Sequence, residues 1–140
     1  MSWPLAVAIN TKGVTDNTFN TAIGGTALVQ GRFYPEGNVP QDEDKPYATF
    51  MIHSVSQQDT FDADMDREFV QVKVVSDAKT PQEAEETIDK ARTLFDGTTL
   101  TVTGNNTVQL MREVQIPAIK DPKTGDWISM IDFSLLMQKE

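Results

Sequence analysis

The feature that most restricts the fold is an alternating strand followed within a few residues by a capped amphipathic helix. In Phe69-Val70-Gln71-Val72-Lys73-Val74-Val75, Val70, Val72 and Val74 fall on one face of a strand, and Gln71 and Lys73 fall on the other. The helix is predicted over residues 81–95. Ala84, Ile88, Ala91 and Phe95 recur there at spacings of four, three and four, which makes one apolar stripe. Thr80 suits the N-cap, Pro81 the first helical position, and Glu83 completes a capping box. Glu83, Glu85 and Glu86 add negative charge at the positive end of the helix dipole, and Asp96-Gly97 supplies the stop.

Upstream, Tyr47 to Val55 is rich in β-branched and aromatic residues and is bounded by Pro46, so it reads as a partner strand. The polar stretch from Gln57 to Glu68 reads as the loop between the two strands. Together these segments predict an antiparallel ribbon with the helix laid across its valine face.

The first forty-five residues are read as less regular. Leu5, Ala6, Ala8 and Ile9 start a short helix. Asp16 to Ile23 makes a second, with Asp16 or Asn17 as cap and Gly24-Gly25 as stop. Ala27 to Tyr34 leads into a short edge strand, and Pro35 to Pro46 is a loop by its three prolines and its charge cluster. After the main helix, Leu100 to Thr103 and Thr107 to Leu110 flank Gly104-Asn105-Asn106, a hairpin signal. Its second arm is extended through Arg112, Val114 and Ile116 to end at Pro117. Asp121 to Asp126 forms a turn, and Trp127 to Met137 is the last strand. The expectation is an α+β class: an antiparallel sheet of about four to five strands with one main amphipathic helix and an N-terminal helix packed on it. At 140 residues, with no linker or repeat, residues 1–140 are taken as one domain.

Charge and composition exclude several functions. A net charge of −9 leaves no basic stripe for gripping phosphates or anionic lipid, so neither a nucleic-acid binder nor a membrane-docking protein is expected. The absence of cysteine excludes disulfides and thiolate chemistry. The apolar run from Trp3 to Ile9 is short and lacks a basic flank, so no signal peptide is expected, and no segment reaches transmembrane length.

The residues that suggest chemistry have plainer readings. His53, the only histidine, sits mid-strand without identifiable catalytic partners. Asp59, Asp62, Asp64 and Asp66 resemble the start of a calcium loop, but Arg67 replaces the required glycine and Lys73 stands at the bidentate glutamate position. Gly24-Gly25 and Gly31 lack the context of a phosphate cradle, and Ser54, Ser56 and Ser76 lack a nucleophile elbow. Trp3 and Trp127 are read as packing residues. No catalytic residue, cofactor or metal is assigned.

An ordered set of short motifs carries a family resemblance. Gly31-Arg32-Phe33-Tyr34-Pro35 is followed by Pro46-Tyr47-Ala48-Thr49-Phe50, then an Asp-rich loop and Val70-Gln71-Val72. Next come Ala84-Glu85-Glu86-Thr87-Ile88 and Leu94-Phe95-Asp96-Gly97, and the set closes with Trp127 to Phe133. From about Gly31 onward the chain resembles the tail-completion (tail terminator) proteins of long-tailed bacteriophages, of the lambda-like minor tail protein U type. The resemblance implies a non-enzymatic virion protein that forms a ring, commonly a hexamer, at the head-proximal end of the tail. Its implied partners are further copies of itself, the tail tube protein and a head-completion or connector protein. DNA would pass through without specific binding. The interface residues suggested for such a ring are Asp59, Asp62, Asp64, Asp66, Arg67 and Glu68, which would repel DNA phosphates if they line its lumen. A head-completion protein of the same particle remains an alternative. So does a small metal-binding protein or enzyme using His53 and the Asp59 to Asp66 cluster.

Overall fold

The computed structural model describes residues 3–26, 29–57, 65–100, 102 and 108–138. In chain order the elements are α1 (Trp3–Thr15), α2 (Asn17–Ala22), β1 (Phe33–Pro35), β2 (Tyr47–Gln57), β3 (Met65–Ser76) and α3 (Gln82–Phe95). They continue with β4 (Thr99–Leu100), β5 (Val108–Gln109), β6 (Met111–Lys120) and β7 (Trp127–Gln138). The fold is α+β. Five strands form one sheet in the order β1-β2-β3-β7-β6, antiparallel except for the parallel β1–β2 pair, and β4 and β5 form a separate antiparallel ribbon.

Side-chain alternation divides the sheet into two unlike faces. Val70, Val72 and Val74 are buried, as their period-2 spacing predicts. Register sets Val70 between Ile52 and Phe133, Val72 between Phe50 and Ile131, and Val74 between Ala48 and Ser129. α3 packs on this face over β3, β7 and β6, and it buries Ala84, Thr87, Ile88, Ala91 and Phe95. α1 and α2 complete the layer, with α1 against α2 and β1, and α2 against α3.

Five phenylalanines join these layers. Phe19 meets Phe33 edge-on at 5.3 Å, Phe33 lies 4.9 Å from Phe50, and Phe95 lies 5.9 Å from Phe133. The network connects α2, β1, β2, α3 and β7, and each such ring pair adds about 0.5–1.5 kcal/mol beyond its burial.

The N-terminal third is fixed by specific contacts rather than by strong helical amphipathicity. The Asp16 side chain accepts from the Phe19 backbone N–H at 2.9 Å and caps α2. Buried Asn20 accepts from the Gly31 N–H at 2.6 Å, which ties the end of α2 to the entry of β1. A Cβ at Gly31 would come within 2.7 Å of both Asn20 Oδ1 and Ile23 Cγ1, so only glycine permits this approach.

The structure corrects four details of the sequence reading. First, α3 begins without the predicted capping box. Thr80 lies outside the helix, Pro81 occupies the cap position with no side-chain cap bond, and Glu83 Oε1 accepts from the Ser76 hydroxyl at 2.7 Å instead. Buried Ser76 offers Glu83 a strand-to-helix bond, and that tertiary bond displaces the local one. Second, Met65 to Glu68 is not loop but the first part of β3, paired with β2 on one side and β7 on the other.

Third, Met111 onward is not the second arm of the hairpin. It is an independent strand, β6, at the edge of the main sheet. Fourth, Pro117 does not end that strand, which continues to Lys120 across register shifts between Arg112 and Val114 and between Ile116 and Ile119. An edge strand tolerates proline because one side of its backbone needs no partner. The Gly104-Asn105-Asn106 turn lies outside the described residues.

Candidate functional site

The acidic residues singled out from sequence do not form one described cluster. Asp59, Asp62 and Asp64 lie outside the described residues. Asp66 and Arg67 belong to β3, where Asp66 pairs with Gln57 and Met137, and Arg67 with Ser56 and Leu136. Glu68 is buried at 8% exposure in register with Ser54 and Leu135. His53 pairs with Phe69 in mid-strand β2. Among the described residues, no group of three or more His, Asp or Glu is placed to hold a metal ion, and no helix is long and apolar enough to cross a membrane.

What the structure does bring together is the second face of the sheet, opposite the helices. Register lays out four rows there from β2 to β6: His53, Phe69, Ser134, Met111; Met51, Gln71, Asp132, Val114; Thr49, Lys73, Met130, Ile116; and Tyr47, Val75, Ile128, Ile119. At the β2 side this face is shielded by the segment that follows β1. Glu36 accepts from the Thr49 hydroxyl at 2.7 Å and from Lys73 Nζ at 3.2 Å. Burial raises the Glu36 pKa, but these two hydrogen bonds and the Lys73 charge outweigh it and hold the carboxyl below its usual value.

Two further ties close the segment. The Tyr34 hydroxyl donates to Glu43 at 2.5 Å, and that bond, with burial, pushes the phenol upward. Lys45 Nζ meets buried Asp126 at 2.6 Å, joining the end of the segment to the β6–β7 turn and raising the lysine pKa. The segment therefore lies pinned by polar contacts.

At the β6 side the face is largely open, with only Glu113 among the described residues seen to reach over it, where it accepts from the Ser134 hydroxyl at 2.5 Å. Met111, Val114 and Ile119 are 51%, 52% and 58% exposed, with Ile116, Ile128 and Met130 half-buried beside them. Within this apolar strip, Asp132 Oδ1 is shielded from solvent and has no hydrogen-bond partner among the described residues. Sequence reading missed the strip because the two register shifts break its alternation and because Pro117 was read as a stop. The available signal was the recurrence of Met111, Val114, Ile116 and Ile119 in a segment with no buried partner of its own.

A second surface lies at the opposite edge. Between α1 and β1 runs a groove of about 400 Å³ lined by Val7, Asn10, Thr11, Gln30, Phe33 and Asn38, among others. Asn10 Nδ2 donates to the Phe33 carbonyl at 3.0 Å, so β1's outer edge is partly occupied from within the chain. Exposed apolar side chains thus occur near both sheet edges, Val7 beside β1 and Met111, Val114 and Ile119 on β6.

A chain of the virion of a native gene transfer agent particle superposes with a TM-score of 0.81 at 14% identity, covering 98% of this chain and 99% of that one. A second solved structure, of a protein identified only by a sequence number, superposes with a TM-score of 0.54 at 18% identity, over 100% of this chain and 96% of that one. At these identities the likeness is one of fold. No curated protein matches. The family model described as tail completion protein gp17 matches residues 20–138, and the chain therefore belongs to this family of phage tail structural proteins.

Proposed function

We propose that the chain caps the head-proximal end of the tail tube as a closed ring, commonly a hexamer, ends tube polymerisation and joins tail to head. The family match over residues 20–138 carries this reading. Its partners in that role are further copies of itself, the tail tube protein and a head-completion or connector protein, and its work requires no catalysis. Two different apolar surfaces at opposite sheet edges support the ring, because unlike surfaces on each copy give head-to-tail contacts that close when the rotation permits. Residues 1–140 act in this role as one domain.

The acidic stretch Asp59, Asp62, Asp64 and Asp66 is proposed to face the lumen, where its negative charge repels DNA phosphates in transit, with Arg67 and the buried Glu68 holding its end in β3. Replacing Asp59, Asp62 and Asp64 with asparagine then slows genome ejection, and unchanged ejection rules out the lumen role.

Electron microscopy of particles lacking this gene product tests the capping role. Overlong, headless tubes are the expected result. Tails of normal length beside unattached filled heads would move the protein to the head side of the joint, and normal infectious particles would overturn both readings.

A further inference from the structure

We infer that residues 36–46 form a strap over the β2–β3 half of the second face, and that this strap opens as one unit while the sheet beneath it stays folded. In the closed form Glu36 occupies the Thr49 hydroxyl and the Lys73 ammonium. Opening releases both into the row that already holds the half-buried Met130 and Ile116. The strap therefore sets how much of this face the protein presents. The inference goes beyond the capping role and stands whether or not the chain forms a ring.

The strap is held by polar ties and by almost no buried carbon. From Glu36 to Tyr47 no residue is buried, and Val39, its one aliphatic side chain besides two prolines, is half-buried. Glu36 accepts from Thr49 and Lys73, Glu43 accepts from the Tyr34 hydroxyl, and Lys45 pairs with Asp126. The Lys73 and Glu36 side chains are 27% and 42% exposed, so water already reaches their pair. Opening trades these bonds for bonds to water at small net cost, whereas parting β3 from its neighbours exposes Val70, Val72 and Val74.

The anchors lie at the two ends of the strap. At the first, the Glu36 N–H donates to the Phe50 carbonyl at 2.8 Å, and the Asn38 N–H closes a turn on the Pro35 carbonyl at 3.0 Å. Gly37 in that turn has φ of +90°, with no atom within 4 Å of where a Cβ would sit, so it can swing. At the second, Arg32 Nε donates to the Pro46 carbonyl at 3.1 Å, one residue beyond the Lys45 tie.

Two effects make the ties act together. All of them hold one short stretch of backbone, so each keeps the partners of the others close, and losing one lowers the effective concentration at which the rest form. Residues 36–44 also hold Glu36, Asp42, Glu43 and Asp44 and no cation, so every released acid adds to a shared repulsion.

The test cuts the tie at one end of the strap and reads the other end. Glu36→Ala removes the tie to Thr49 and Lys73. Lys45→Ala removes the tie to Asp126, and Asp126→Asn weakens that tie without leaving a buried carboxylate unpaired. Amide hydrogen exchange at fixed pH is followed on the full chain, together with acylation of Lys45 and Lys73 by a soluble N-hydroxysuccinimide ester.

Glu36→Ala should speed exchange over residues 41–45 and acylation of Lys45 about three- to tenfold, as loss of one tie from a shared opening equilibrium gives. Lys45→Ala and Asp126→Asn should do the same for residues 37–39 and for Lys73. Exchange in β3 should keep its wild-type rate in all three variants. Variants that loosen only their own end would show independent ties and overturn the inference. So would a strap that no variant loosens, or acceleration of β3 in step with the strap, which would make opening part of global unfolding.

Discussion

The two faces of the sheet solve different problems with the same strands. On the helix side, Val70, Val72, Val74, Ile131 and Phe133 are at most 1% exposed, and the phenylalanine network connects them to α2 and α3. On the other side, polar ties hold one segment over β2 and β3, and β6 is left with its apolar residues in water. Burial of the first face stabilises the fold. The second face contributes little to the isolated chain, and its exposed Val114 and Ile119 are what an assembling protein keeps available.

The largest expected effect lies in the helix-side core. Phe133→Ala removes a ring that touches Phe95 and should cost about 3–5 kcal/mol in chemical denaturation, enough to unfold a marginal domain. If the loss were below about 1 kcal/mol, the helix face would not be the stabilising one. Gly31→Ala comes next, at about 1–3 kcal/mol, because its Cβ would meet the Asn20 carbonyl oxygen at 2.8 Å and there is no room to relax.

The caps provide a sharper pair. Asp16→Ala should cost about 1 kcal/mol, since Asp16 accepts from Phe19 N, whereas Thr80→Ala should stay within about 0.5 kcal/mol, since Thr80 caps nothing. The sequence alone would rank these two substitutions as equal. In contrast to the core variants, Ile119→Ser on the bare face should leave the melting temperature nearly unchanged while weakening assembly.

The smallest effect is a pH dependence of the polar segment. The Glu36 carboxyl is held below its usual value in the folded chain, so its contribution is present at neutral pH and is lost as pH falls through the folded pKa. Wild type and Glu36→Gln should therefore differ at about pH 7 and converge at about pH 3. Lys45 and Tyr34 are raised, so their ties are complete below their ordinary pKa values and are lost only as pH climbs through the higher folded ones, above about pH 10. A wild-type advantage that grew toward acid would contradict the Glu36 assignment.

Legibility followed the same division. The β3 valines, the α3 stripe ending in Asp96 and Gly97, and the Asp16-capped α2 were readable because each is a local pattern whose period matches the buried face. The parallel pairing of β1 with β2 was not, since it depends on how α1 and α2 bring Phe33 to the sheet edge. Nor was the use of Glu83 by Ser76, a tertiary bond that the capping pattern conceals. β6 was misread for a physical reason: an edge strand has one unpartnered side, so bulges and Pro117 are tolerated and the alternation that marks a strand is lost. The acidic run drew attention by composition, yet its last three residues serve as strand. The surface strip that the ring would use carries no motif at all.

Amide hydrogen exchange across the whole chain, free in solution and then bound on tails, tests the division of the two faces most directly. Binding should slow exchange in β6 and around the α1–β1 groove, while β3, already sealed between β2 and β7, changes little. Protection falling instead on the exposed acidic side of α3, around Glu85, Glu86 and Asp89, with β6 unchanged, would contradict it.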